Sequence, residues 1–149
     1  MEYGRFGGIS AMDKAEMHTH DILGNPNARI CGSIDWNLII DAKGGPNHMG
    51  NYYELPVMLI EDGTDFVLQS EYYYIGHFSR YIRPGAICLG TSSWNSNVEV
   101  TAFENTDSSR VLVALNCTDT PFPLSVTETD DTTVDFELPK HAIATILFS

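Results

Sequence analysis

Ile34-Asp35-Trp36-Asn37-Leu38-Ile39-Ile40-Asp41-Ala42-Lys43-Gly44-Gly45-Pro46-Asn47-His48-Met49-Gly50-Asn51 is the stretch that decides the fold. It begins as an apolar run holding one acid and one indole, then breaks into Gly-Gly-Pro-Asn, which continues neither helix nor strand. A strand that ends in polar and aromatic residues and empties into a glycine-rich loop is how an α/β barrel presents groups at its catalytic face. Upstream residues read as the helix preceding such a strand. Downstream residues read as a following helix and then a β-domain.

The chain has 149 residues, whereas a complete (β/α)8 barrel takes ~250. Only a slice of one fits. Apolar residues make up 43% of the chain and mean hydropathy is -0.11, which excludes general disorder. No apolar run reaches the ~18 residues of a membrane span, and the start Met1-Glu2-Tyr3-Gly4-Arg5-Phe6 lacks the pattern of a signal peptide. Compartment stays open on this reading: a cytoplasmic protein, or a chain whose original N-terminus lies elsewhere. Net charge is -12, with 8 basic against 20 acidic residues. Phosphate binding needs clustered Lys and Arg, so nucleic acid is excluded as a partner. The three cysteines, Cys31, Cys88 and Cys117, sit in apolar contexts that predict buried thiols. Their spacing fits neither zinc nor a redox pair. Asn116-Cys117-Thr118 is formally a glycosylation acceptor.

Apolar residues at helical spacing predict a helix over 9–23, capped by Ser10 and ended by Gly24-Asn25-Pro26-Asn27. His18 and His20 lie two apart, on different faces of that helix, and make a poor metal pair. Ile30 to Ile34 reads as a short buried strand closed by Asp35-Trp36-Asn37. Apolar runs 55–60 and 66–68 flank Glu61-Asp62-Gly63-Thr64-Asp65, a hairpin signal. A second helix over 70–82 begins at Ser70 as N-cap, carries Tyr74, Phe78, Tyr81 and Ile82 on one stripe, and stops at Arg83-Pro84-Gly85. His77 within it reads as a hydrogen-bonded packing residue. From residue 86 the chain is β throughout, with strands at 86–90, 98–103, 111–115, 122–126, 134–138 and 142–148. Such spacing predicts an antiparallel sandwich. The alternation in 98–103 and 134–138 gives each one wet face.

Several of these pieces match one family. Glu2-Tyr3-x-Arg5-Phe6, Asp35-Trp36-Asn37-Leu38, Gly44-Gly45-Pro46-Asn47 and Tyr74-Ile75-Gly76-His77-Phe78-Ser79-Arg80-Tyr81-Ile82-Arg83-Pro84-Gly85 occur in order along the chain. Val113-Ala114-Leu115-Asn116 and Leu138-Pro139-x-His141-Ala142-Ile143-Ala144-Thr145 follow. The chain resembles the C-terminal part of glucosylceramidase-type glycoside hydrolases (glycoside hydrolase family 30). The resemblance implies an α+β chain: an antiparallel β-sandwich side domain plus a remnant of the last βα units of a (β/α)8 barrel. Residues 1–54 would hold helix seven, strand eight and its loop. Residues 55–69 would form a hairpin of the side domain, 70–85 the last barrel helix, and 86–149 the sandwich.

Members of the family hydrolyse β-glycosides with retention, which needs two carboxyls ~5–5.5 Å apart. Neither glutamate is expected in this chain. The family's nucleophile belongs to a Glu-x-Cys-Val-Glu-Tyr pattern whose second Glu matches Glu2, so the nucleophile would precede Met1, and the acid/base lies further upstream. No catalytic residue is therefore assigned. The resemblance implies that Trp36 and Asn51 line the sugar site and that Asp35 and Asn37 support the strand end. Trp36 also reads as packing, and Asn51 as a loop hydrogen-bonder. A substitute acid pair drawn from Asp35, Glu2, Asp41 or Glu54 would lack preorganised partners on rigid elements. No cofactor, nucleotide site or metal set is expected. A β-glycoside or glucosylceramide-type substrate is implied only if the missing barrel is supplied. Uncovered barrel surfaces predict a homo-oligomer or an N-terminal partner chain. The alternative is a carbohydrate-binding or structural β-sandwich module, using Trp94 and Tyr72-Tyr73-Tyr74.

Overall fold

The computed structural model describes residues 10–46, 57–60, 62–128 and 132–148. In chain order these form α1 (Ala11–Asn27), β1 (Ile39–Ile40), β2 (Val57–Leu59), β3 (Phe66–Leu68), α2 (Ser70–Ser79), β4 (Ile87–Leu89), β5 (Val98–Glu104), β6 (Arg110–Asn116), β7 (Phe122–Thr127), β8 (Thr133–Leu138) and β9 (Ala142–Phe148).

A four-stranded antiparallel sheet, ordered β4-β5-β6-β9, is the centre of the fold. Alternation in β6 feeds two cores at once. Val111, Val113 and Leu115 face Ala15 and Leu23 of α1 and Tyr74 and Phe78 of α2. Leu112 and Ala114 face the β7–β8 ribbon, whose Phe122, Leu124, Phe136 and Leu138 close the opposite core. Each fully buried Val or Leu here stabilises by about 1.5–3 kcal/mol. The six expected strands are present within one or two residues of their expected bounds, and the ladders are antiparallel. One expectation is overturned in detail. Strand β5 lacks the wet face that its alternation suggested, because Val98, Thr101 and Phe103 are all buried. Asn27 of α1 explains part of this: its Nδ2 donates to the Val100 carbonyl at 3.1 Å and its Oδ1 accepts from the Thr101 hydroxyl at 3.2 Å. Strand β8 keeps its wet face, with Thr133, Asp135 and Glu137 outward.

Helix α1 begins in a capping box: Ser10 accepts from the Asp13 N–H, and the Asp13 carboxylate accepts from the Ser10 N–H. Its end departs from expectation, since Pro26 lies inside the last turn and the helix runs to Asn27. Proline removes one donor there. The turn is completed instead by Arg29 at φ 64, with Arg29 N–H to Pro26 O and Ile30 N–H to Asn25 O, both 2.8 Å. That is the Schellman arrangement, with arginine in the position glycine favours. The cap of helix α2 lies one residue earlier than expected, at Gln69, so Ser70 is already helical, and the helix ends at Ser79, short of the expected 82. Beyond it, Gly85 turns at φ 87. Buried Asn105 ties this turn to the β5–β6 connection, accepting from the Arg83 N–H at 2.9 Å and donating to the Tyr81 carbonyl at 3.0 Å.

Residues 30–37 carry no ladder, so the strand expected at Ile30 to Ile34 is not formed. Ile34 is 102% exposed and Ile30 is also exposed. The first pairing comes later: β1 runs parallel to β2, and β2 pairs antiparallel with β3 across the expected hairpin. A buried parallel strand exists only between neighbours, and residues 30–37 have none among the described residues. The cysteine expectation also fails. Cys31, Cys88 and Cys117 are all free and exposed: Cys31 lies in the irregular segment after α1, and Cys88 lies on an edge strand.

Candidate functional site

The loop after β1 is built around one carboxylate. Asp41 Oδ1 accepts from the N–H groups of Lys43 at 2.8 Å and Gly45 at 2.9 Å. The Asp41 N–H in turn donates to the Gly45 carbonyl at 2.9 Å. Gly44 turns at φ 77, and a Cβ on Gly45 would meet Asp41 Oδ2 at 3.2 Å. The left-handed backbone favours glycine at Gly44, and a side chain at Gly45 would press on the Asp41 carboxylate. The N–H bonds from Gly45 and Lys43 hold the Asp41 carboxyl below the usual carboxylate range. Such a group is occupied in shaping the loop and poorly suited to proton transfer at neutral pH.

Asp35, Trp36 and Asn37 lie on the irregular segment before β1. Asp35 Oδ1 accepts from the Trp36 N–H at 2.7 Å, while its Oδ2 lies 3.3 Å from His18 Nε2 on α1. Asn37 Nδ2 reaches the Pro46 carbonyl at 3.5 Å, the outer limit of a hydrogen bond. The Trp36 side chain is 59% exposed. Around it, Ile34, Leu38 and Ile39 also face solvent. Asn51, Glu2 and Glu54 lie outside the described residues. His18 and His20 diverge: His20 Nδ1 lies 2.6 Å from Glu99 Oε2, on the sheet side. Among the described residues, no group of three or more His, Cys, Asp or Glu is arranged to hold a metal.

A groove of about 1050 Å³ runs between α1, the segment after it, α2 and β4. Ile22, Ile75, Phe78, Ile82, Leu89 and Phe103 supply apolar walls. Among the described residues its lining holds a single carboxylate, Asp35, where glycoside hydrolysis needs two. Of the tyrosines, Tyr74 is buried, while Tyr72 and Tyr73 are exposed with rings that meet at 89°, so the two do not share one plane. Trp94 is fully exposed, at the tip of a turn held by Ser93, Asn95 and Asn97.

Tyr74 and His77 instead join α2 to β9. His77 Nδ1 lies 2.8 Å from the Thr145 hydroxyl, as a hydrogen-bonded packing residue should, and burial pushes its pKa down. Tyr74 Oη lies 3.0 Å from both the His141 carbonyl and Met12 Sδ, and burial pushes its hydroxyl up to about 12. Composition gave no hint of the group around His141, because it joins Glu16, Asp119 and His141 from distant parts of the chain.

Two helices docked on an antiparallel sandwich, with a segment and glycine loop left facing outward, define the end of a (β/α)8 barrel with an attached β-sandwich domain. The sequence matches the glycosyl hydrolase family 30 TIM-barrel domain over residues 3–82 and the family's beta sandwich domain over residues 85–146. The chain belongs to glycosyl hydrolase family 30. A glucosylceramidase-type protein of Caenorhabditis elegans is 37% identical over 141 residues, 90% of this chain and 27% of its own length. The lysosomal acid glucosylceramidase of Mus musculus is 28% identical, over 94% of this chain and 27% of its own length. The structure of SrfJ from Salmonella typhimurium superposes with a TM-score of 0.90 at 34% identity, covering 99% of this chain and 32% of SrfJ. The chain therefore spans about a quarter to a third of the proteins it matches and corresponds to their C-terminal portion. No helix among the described residues is long and apolar enough to cross a membrane.

Proposed function

We propose that this chain supplies the C-terminal edge of the substrate site of a retaining, glucosylceramidase-like β-glycosidase. On this reading it catalyses no O-glycosyl hydrolysis alone, because the nucleophile and acid/base glutamates belong to the remainder of the barrel. Trp36 and Asn51 line the sugar site, and Asp35 and Asn37 hold the end of the segment that presents them. One observation carries the proposal. Trp36 is solvent-facing beside a loop whose shape is fixed by Asp41, and its apolar neighbours Ile34, Leu38 and Ile39 also lack cover. An exposed apolar set of this kind marks a surface made for another surface. The rest of a family barrel, in the same polypeptide or as a partner chain, is the cover that fits; self-association is the outcome without it.

The test mixes the 149-residue chain with the amino-terminal barrel portion of a family relative and follows hydrolysis of an aryl β-glucoside. The chain alone is expected to be silent. The mixture should turn over, and Trp36→Ala should lower its kcat/KM by roughly tenfold or more, a loss of about 1.4 kcal/mol of transition-state binding. Hydrolysis by the isolated chain that disappears on Asp35→Asn or Asp41→Asn would overturn the reading, as would a complemented enzyme indifferent to Trp36.

A further inference from the structure

Three acidic or basic groups from separate elements meet between α1 and the end of the sandwich. His141 lies in the β8–β9 turn, at φ 50. Its Nδ1 is 3.0 Å from Glu16 Oε1 on α1, and its Nε2 is 3.0 Å from Asp119 Oδ1 in the β6–β7 connection. The backbone around the ring is pinned. Tyr74 of α2 reaches the His141 carbonyl, and buried Asn116 donates to the carbonyls of Thr120, Leu138 and Pro139. The backbone that carries the ring is therefore held between the two carboxylates.

We infer that His141 is a pH-dependent clasp that fastens helix α1 to the β-sandwich when its ring carries both protons. A neutral imidazole has one N–H, so only the imidazolium can donate to both carboxylates at 3.0 Å. The two carboxylates differ in what they lose. Asp119 is 95% exposed and can turn to water, but the Glu16 side chain is 8% exposed. A buried carboxylate deprived of its cation is costly, and Glu16 sits on the face of α1 that docks on the sheet. The other groups in this neighbourhood do not replace the imidazolium. Tyr74 is held neutral, and the Cys117 thiol is pushed up to about 11 by desolvation and by the Glu16 and Glu99 carboxylates. Glu99 has His20 as its own partner, and Lys140 acts on Asp119.

The direction of the effect follows from the partners. Asp119 and then Glu16 raise the His141 pKa above the ordinary histidine value, and His141 in turn lowers that of Asp119. A raised histidine contributes stability that is complete below its unfolded pKa and lost as pH rises through the folded one. The Asp119 share is present above the ordinary carboxylate range and is lost only as pH falls through its lowered value. The clasp is therefore shut in mild acid and released in mild alkali. This holds whether or not the chain takes part in glycoside hydrolysis.

The test measures amide protection of α1 and the urea unfolding midpoint of the 149-residue chain from about pH 5.5 to about pH 8.5, alongside the NMR titration of the His141 ring. Protection of the Ala15–Leu23 amides, corrected for intrinsic exchange, should fall severalfold across that range. His141→Asn, which tolerates the left-handed backbone, should abolish the dependence. Asp119→Asn changes an exposed side chain and should return the ring's titration toward the ordinary value. A wild-type chain whose α1 protection is flat with pH would overturn the clasp. So would either variant that keeps the wild-type dependence.

Discussion

Strand β6 and the segment from Ile30 to Ile39 are about equally apolar, yet one is buried on both faces and the other on neither. Val111, Val113, Ala114 and Leu115 are at most 1% exposed, while Ile34, Trp36, Leu38 and Ile39 are at least 50% exposed. Intrinsic preference does not separate them. Strand β6 finds β5 and β9 along its edges, two helices over one face and the β7–β8 ribbon over the other, all within 149 residues. The 30–39 segment belongs to a barrel whose remaining strands are not among the described residues. Apolar sequence is thus a demand for partners, and the fold shows which demands this chain meets itself.

The sharpest way to break that contrast is to truncate one side chain on each side of it. Leu115→Ala removes a fully buried group from the helix-facing core and should cost about 2–5 kcal/mol of unfolding free energy. Ile34→Ala removes a group that touches solvent and should stay within roughly 0.5 kcal/mol. Urea midpoints of the two variants decide the matter. Equal costs would mean that the 30–39 segment packs in solution, through self-association or otherwise. Repeating the Ile34 measurement with the barrel complement sharpens the comparison, because the same truncation should then become expensive.

Asn116 tests the closed region by a different interaction. Its side chain is fully buried, with Nδ2 donating to Thr120, Leu138 and Pro139 carbonyls and Oδ1 accepting the Thr118 N–H and hydroxyl. Asn116→Ala removes the bonds to the buried Leu138 carbonyl and to the Thr120 and Pro139 carbonyls nearer the surface and should cost about 1–3 kcal/mol, read as a lowered denaturation midpoint with unchanged slope. The same geometry removes Asn116-Cys117-Thr118 as a glycosylation acceptor in the folded chain, since the amide nitrogen is engaged and inaccessible. A sequence motif says which residues are present; burial says whether they are available.

The sandwich was legible because its signals are local. Period-two alternation in Val134-Asp135-Phe136-Glu137-Leu138 and turn residues at Asn105-Thr106-Asp107-Ser108-Ser109 act within a few positions, and the strands fall where they predict. The barrel portion was legible only by resemblance. Ile30 to Ile34 reads as a strand from its apolar run alone, and nothing within the stretch records whether neighbours are there to pair with it. Cys88 looked buried for the same reason: Ile87-Cys88-Leu89 is apolar, but β4 is an edge. Of the candidate site, Asp35, Trp36 and Asn37 were picked out together. The use of Asp41 as the organiser of its loop was not, although an Asx residue ahead of Gly-Gly is the pattern of such a turn. The His141 group was beyond reach, since Glu16 and His141 are 125 positions apart.

Helix α1 stands between the two regions, and its ends give the smallest and most diagnostic effects. The N-terminus is conventionally closed: Ser10→Ala deletes half of the capping box and should cost about 1 kcal/mol. The C-terminus, where the chain passes toward the uncovered segment, is closed at a price in backbone strain, with Arg29 held at φ 64. Left-handed backbone costs an L-residue about 1–2 kcal/mol, partly offset in a glycine variant by the greater freedom of its unfolded chain. Arg29→Gly should therefore stabilise by several tenths of a kcal/mol, opposite in sign to Ser10→Ala and measurable by the same urea titration. If Arg29→Gly instead destabilises, the arginine side chain contributes to folding of the exposed segment, and the boundary between closed and open regions lies further along the chain than Ile30.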